Sequence, residues 1–286
     1  MLLFPTIAVF GVGNRLAPWQ AMVVLAMSTF ASLKWVTLRD ARRSGLPTPT
    51  WKAAAWFLAW PGTDGRAFFA LAGAGDSTTA SRSEWGAAIV KLVSGVALAY
   101  GLAPRVEAHS TLLAGWVGMV GTISSLHFGG FHLLSLAWRR FGIAAVPIMN
   151  EPTRATSLAS FWGARWNRAF STPARRFVLL PLGRRVGLRA AAFVVFVLSG
   201  ALHELVISLP ARGGYGLPTA YFGIQALALA FERTRLARRL GLGRGLRGWM
   251  FTLAITALPL PWLFHRPFVE RVILPMLRAA GVLEGT

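Results

Sequence analysis

Ionisable side chains cost roughly 2.5–3.5 kcal/mol at the centre of a bilayer, so chemistry is sought first at the few that this chain places inside long apolar runs. The run from Phe193 to Leu209 holds two, His203 and Glu204. Ser199 precedes the histidine by one turn, and Gly200 and Ala201 leave room for another helix or a substrate chain. A neutral imidazole in a dry cavity accepts a proton near neutral pH, which makes His203 the candidate general base; the alternative role is a hydrogen bond to a neighbouring helix. Glu204 lies about 100° further round the helix, where an arginine could pair with it. His127 and His132 stand about 140° apart on a helix, so a shared metal would require a break at Gly129–Gly130 and further ligands. No metal site is expected there. His109 and His265 fall in turns. The chain has no Cys and no Gly-x-Ser-x-Gly elbow or phosphate-binding loop, so a covalent acyl-enzyme has no obvious nucleophile and direct transfer with base assistance is left.

A second group of polar residues lies between Trp138 and Gly187. This stretch carries Pro147, Pro152, Pro173 and Pro181 together with Phe161, Trp162, Trp166, Phe170 and Phe177. Arginines interleaved with Trp and Phe suit short amphipathic helices at a membrane interface. Trp162 and Trp166, four apart, share a helix face and read as packing or interface anchors. Asn167 suits a helix cap.

The elements that must position these residues follow from composition. Of 286 residues, 55% are hydrophobic and 14% charged, against about 25% charged in a soluble domain. Apolar runs alternate with short basic ones, and about 17–25 apolar residues cross a bilayer. The expected fold is all-α and polytopic, with about eight spans: Leu2 to Val12, Ala17 to Val36, Gly86 to Ala103, Thr111 to Ala137, Leu188 to Leu209, Leu217 to Phe231, Trp249 to Phe264 and Phe268 to Leu283. Ala53 to Trp60 reads as interfacial or re-entrant. The net charge is +20, and 27 of the 30 Lys+Arg are Arg. With both termini cytoplasmic, 23 of these 30 fall in cytoplasmic loops and four outside, as the positive-inside rule requires. The basic excess therefore follows topology, and most of these arginines read as orientation signals or contacts to anionic lipid. With no DNA- or RNA-binding motif beside it, nucleic acid is not an expected partner.

Two segments in order resemble a known family. Ser157 to Asn167, containing Phe161-Trp162-Gly163-Ala164-Arg165-Trp166-Asn167, is similar to the Phe-Trp-Gly-x-x-Trp-Asn/His motif of the wax-synthase-like branch of the membrane-bound O-acyltransferases. Ser199-Gly200-Ala201-Leu202-His203-Glu204 resembles that branch's Ser-Gly-x-x-His-Glu, and Trp60-Pro61-Gly62 an upstream segment. The likeness is strongest from about 150 to 232, within one membrane-embedded domain over residues 1–286. It implies transfer of a fatty acyl group from acyl-CoA, a co-substrate rather than a cofactor, to the hydroxyl of a lipophilic alcohol. His203 then matches the catalytic histidine, and Asn167 could hydrogen-bond the thioester or the oxyanion. Trp162, Arg165, Trp166, Arg168, Ser199 and Glu204 form the candidate substrate-binding set. Arg154, Arg165, Arg168, Arg175 and Arg176 could hold the phosphates of coenzyme A by charge-assisted bonds. The expected setting is a bacterial inner membrane. A lipid transporter or lipid-binding membrane protein is the rival reading, although the paired broken helices of such proteins are not evident.

Overall fold

The computed structural model describes residues 16–70 and 80–284, and all regular structure among them is helical. Four helices are long and apolar enough to cross a membrane: α1 (Pro18–Arg43), α4 (Arg82–Glu107), α5 (Thr111–Arg140) and α9 (Leu188–Ala211). Three contain one of the expected spans whole, and α1 takes up the expected Ala17 to Val36 from Pro18; all reach or run beyond the expected ends. Three of the other four expected spans do not reach that standard. Leu2 to Val12 lies outside the described residues. α10 (Leu217–Glu232) has 16 residues, α12 (Gly245–Ala257) stops where Pro259 and Pro261 interrupt the pattern before the short α13 (Leu260–Leu263), and α14 (Arg266–Phe268) leads through a π turn into α15 (Leu274–Ala279). Shorter elements complete the chain: α2 (Thr50–Leu58), α3 (Gly65–Phe69), α6 (Leu158–Ser160), α7 (Arg168–Ala174), α8 (Leu180–Val186) and α11 (Arg235–Arg239).

The chain packs as two compact units. Ala26–Met149 with residues from Ile273 form one; Asn150–Val272 with residues up to Leu25 form the other. In the first, α4 and α5 meet backbone to backbone. A Cβ at Gly95 would lie 2.2 Å from Ser125 N, and one at Gly129 2.5 Å from Leu92 Cα, so these positions accept only glycine without separating the helices. A π turn over Ser124–Gly130 carries Gly129 and Gly130. It does not bring His127 and His132 to one ligand. His132 Nε2 instead lies 3.5 Å from Glu84 Oε1, which accepts a 2.6 Å bond from Arg139 Nη1. No group of three or more His, Asp or Glu side chains among the described residues is placed to hold one ion.

The stretch around Ala53 to Trp60 forms α2 and the loop after it, seated on a buried aromatic core of Trp56, Trp60, Phe68 and Phe69. Helix ends leave carbonyls unpaired, and here the side-chain nitrogen of buried Lys34 donates to Trp56 O at 2.6 Å and to Trp60 O while lying 3.5 Å from the Trp56 ring. Trp138 Nε1 donates to Ala59 O at 2.8 Å. Asp64 then caps α3 by accepting from Ala67 N. The Trp60-Pro61-Gly62 segment is thus fixed by donors from α1 and α5.

Candidate functional site

Both motifs belong to the second unit, and α9 and α10 bring them together. α9 is built from Leu, Val, Phe and Ala, and Gly200 admits α10 against it: a Cβ there would lie 2.9 Å from Thr219 Cα. His203 is the last residue before a π turn over Glu204–Ser208. Such turns are frequent at functional sites, because the extra residue re-aims side chains. The His203 ring is partly buried, and Nδ1 lies 2.7 Å from the carbonyl oxygen of Ser199. A carbonyl can only accept, so in the neutral ring the proton sits on Nδ1 and the lone pair is on Nε2. Nε2 makes no hydrogen bond among the described residues. The imidazole is therefore held with Nε2 as the ring nitrogen able to accept a proton. Ser199 serves through its backbone, since its hydroxyl donates to Val195 O at 2.9 Å.

Glu204 turns away from the imidazole, as its place on the helix implies, but its partner is not an arginine. Oε1 accepts from Gly216 N, Thr219 N and Thr219 Oγ1 at 3.0, 3.1 and 2.9 Å. It thereby satisfies the otherwise orphaned donors at the start of α10, where a negative charge is favoured. His265 does not sit in an open turn. It is buried, Nε2 lies 3.2 Å from Ser208 Oγ, and Nδ1 accepts from Phe268 N to cap α14. Burial pushes its pKa below the ordinary histidine value, against the pull of Glu204.

The Trp-Asn segment is a single compact turn. Ser157 caps α6, accepting from Ser160 N at 3.0 Å. A π turn over Phe161–Arg165 follows, closed by Trp166 N donating to Phe161 O at 2.8 Å, with the Phe161 and Trp166 rings stacked at 5.5 Å. Asn167 adopts φ 41°, ψ 64°, a left-handed conformation that asparagine tolerates better than most residues. It occupies the cap position of α7 without its side chain making the capping bond; the backbone oxygen instead accepts from Phe170 N and Ser171 N.

Arg165 and Arg168, alike in sequence, differ in the structure. Arg165 donates from Nε to Ser160 Oγ at 3.1 Å and from Nη1 to Glu151 O and Asn150 O at 3.1 and 3.4 Å, so its guanidinium fixes the turn itself. Arg168 is half-buried and makes no hydrogen bond or ion pair among the described residues. Arg154 pairs with Glu151, and Arg175 is exposed. Of these two candidate arginines, Arg168 is the one whose donors are unspent among the described residues.

Trp162 joins this turn to His203. Its ring centroid is 5.7 Å from Phe222 and 5.8 Å from Phe196, and Phe222 is 4.6 Å from the His203 ring. Trp162 Nε1 donates to Gln225 Oε1 at 3.2 Å, and Gln225 Nε2 to Ile255 O at 2.8 Å. Glu232 Oε2 accepts from Leu158 N at 2.6 Å; burial raises its pKa, opposed by the N–H groups of Leu158 and Ala159. Phe196, Phe222, Gln225 and Glu232 were not singled out from sequence. Only Gln225, polar in the apolar run Leu217–Phe231, and Glu232 at its end carried a visible signal.

Comparison with known proteins agrees with these motifs. Residues 145–222 match the family model "Membrane bound O-acyl transferase family". A probable long-chain-alcohol O-fatty-acyltransferase of Arabidopsis thaliana is 36% identical over 138 residues, 43% of this chain and 40% of the relative. The long-chain-alcohol O-fatty-acyltransferase of Simmondsia chinensis is 36% identical over 78 residues, 24% and 22% of the two chains. An acyl-CoA–sterol O-acyltransferase of Arabidopsis thaliana is 42% identical over 67 residues, 21% and 19%. The chain thus spans two fifths or less of the length of these relatives. All three are plant proteins and lend no support to the expected bacterial setting. No solved structure matches the chain. Residues 145–222, the stretch that carries both motifs, are thus similar to the membrane-bound O-acyltransferase family, and the relatives that share this likeness bear the names of long-chain-alcohol and sterol O-acyltransferases.

Proposed function

We propose that the protein is a membrane enzyme that transfers a fatty acyl group from acyl-CoA to the hydroxyl of a lipophilic alcohol, with His203 as general base. One observation carries this reading above the rest: the ring of His203 is held by Ser199 O so that Nε2 bears a free lone pair, and Phe222 links that ring to the Trp162 turn. In the reaction, Nε2 takes the proton of the alcohol as its oxygen attacks the thioester carbonyl carbon. The C–S bond of the resulting tetrahedral species breaks, an ester forms, and the coenzyme A thiolate leaves with the proton that the imidazolium returns. Asn167 supplies an amide donor to the oxyanion. Arg168 meets the phosphates of coenzyme A, with Arg165 shaping the turn that presents it.

The relatives' names support both a fatty alcohol and a sterol as acceptor class. In the same reading the apolar runs Leu2 to Val12, Leu217 to Phe231, Trp249 to Phe264 and Phe268 to Leu283 complete an eight-crossing arrangement with cytoplasmic termini, favoured by the distribution of basic residues. The test is purified protein mixed with labelled acyl-CoA and a panel of fatty alcohols, sterols and diacylglycerol, with ester detected by mass spectrometry. Ester from the wild type, and a roughly 10²–10⁴-fold loss of turnover in His203→Ala, is the expected result. Near-normal turnover in a folded His203→Ala protein removes the base assignment. Absence of ester from every acceptor, with lipid binding retained, favours the lipid-binding alternative.

A further inference from the structure

α10 meets both motif segments. Its first turn is held by Glu204, the residue after the candidate base. One turn on, Phe222 lies between the His203 and Trp162 rings. Gln225, fully buried, accepts from the indole N–H of Trp162 and anchors itself to Ile255 O of α12. At its far end, buried Glu232 accepts from the first backbone N–H of α6. Both polar side chains sit on a helix otherwise made of apolar and small residues, and each bonds to the Trp-Asn turn from more than 60 residues away in sequence. A buried polar side chain is costly unless paired, and here both pairings converge on one short turn.

We propose that Gln225 and Glu232 are positioning residues of the acyl-transfer site: together they fix where the Leu158–Asn167 turn stands relative to His203. The inference rests on the acyltransferase reading for its kinetic consequence, but not for its structural one. Neither residue touches the reacting atoms. Gln225 sets the rotation of the Trp162 ring, and Glu232 sets the height of the turn along α10. A shift of the turn of about 1 Å is enough to cost roughly 10²-fold in rate. Because uniform binding is unaffected, the loss falls on kcat rather than on KM for acyl-CoA.

The chain has no cysteine, so Ala164→Cys, at an exposed position of the turn, takes a single nitroxide label in full-length detergent-purified protein. In that background, Gln225→Leu and Glu232→Leu should each increase label mobility and, in the unlabelled proteins, lower kcat by about 10–10²-fold with KM for acyl-CoA within about twofold. Glu232→Gln keeps an oxygen for Leu158 N and should restore most of both readouts. Trp162→Phe removes the N–H that Gln225 serves, so Gln225→Leu should cost less in that background than alone. Unchanged label mobility in folded Glu232→Leu and Gln225→Leu overturns the proposal, as does additivity of Gln225→Leu with Trp162→Phe. If Glu232→Leu does not fold, Glu232→Gln and the Gln225–Trp162 pair decide. If the wild type forms no ester, the acyltransferase reading fails by itself and label mobility still decides the positioning.

Discussion

Gly200 offers the sharpest test of whether the spacing of α9 and α10 governs the site. A methyl group at this position would lie 2.9 Å from Thr219 Cα and 3.3 Å from Thr219 Oγ1, whereas carbon atoms rest at about 3.5–4.0 Å. Gly200→Ala must therefore open the two helices locally by roughly 0.6–1 Å. Two effects on stability oppose each other. Alanine gains about 1 kcal/mol of helix propensity, and overpacking costs about 1–3 kcal/mol, so the net change is about 0–2 kcal/mol of destabilisation and decides little. Catalysis is more sensitive. Thr219 is held by Glu204, and Phe222 stands one turn further along α10 against the His203 ring at 4.6 Å, so the displacement enters the site directly. A shift near 1 Å predicts a fall in kcat of about 10²-fold. Gly223→Ala is the internal control: the position is on the same helix, with nothing within 4 Å of the added carbon, and should keep full activity and gain slightly in stability. The assay is steady-state ester formation beside thermal unfolding in detergent for the three proteins. A wild-type kcat in folded Gly200→Ala refutes the argument that this helix spacing sets the catalytic geometry.

The remaining predictions concern charge. Arg168→Gln should raise KM for acyl-CoA by roughly fivefold, about 1 kcal/mol for a half-exposed ion contact, with the difference shrinking at high salt. Arg165→Gln should act instead on stability, by about 0.5–1.5 kcal/mol, because the turn loses its hydrogen bonds to Glu151 O and Asn150 O; identical behaviour of the two variants in both assays removes the distinction. For His265, burial lowers the folded-state pKa below the unfolded value of about 6.5. Below that pH the unfolded chain binds a proton that the folded one does not, so stability is lost as pH falls from about 6.5 toward the lowered folded value. Melting temperatures of wild type and His265→Asn from neutral to mildly acidic pH check this: the wild type should show the steeper acid loss, and equal slopes would falsify the assignment.

How much was readable beforehand depends on how local each signal is. Apolar runs of span length are local, and four of them appear as long helices. The runs after Leu217 are interrupted by Pro259, Pro261, Pro267 and Pro275, and a proline-broken pattern of apolar residues does not say whether the pieces join into one crossing. The two motifs are local as well, which is why His203 and the Trp-Asn turn could be named. What could not be read was the pairing of each polar side chain. Arg165 and Arg168 are equivalent on a charge map, and only the fold turns one onto the carbonyls of residues 150 and 151. Glu204 was expected to seek an arginine, but a helix N-terminus 12 residues away presents three donors to one oxygen.

The same reasoning explains why α10 was overlooked. Scanning for ionisable groups inside apolar runs finds His203 and passes over Gln225, because an amide carries no charge to mark it. Yet the cost of burying an unpaired amide is comparable to that of losing a hydrogen bond, about 1–3 kcal/mol, so a lone Gln in a 16-residue apolar helix is as strong a statement that a partner exists as a lone His is. The partner found is the indole of the one tryptophan that packs toward His203 through Phe222. In the proposed reaction, a base fixed by its own preceding turn needs its substrate presented from elsewhere. Here the presenting turn is steadied by a third helix that neither motif contains, which makes the mutual placement of the motifs a property of α10 rather than of either motif alone.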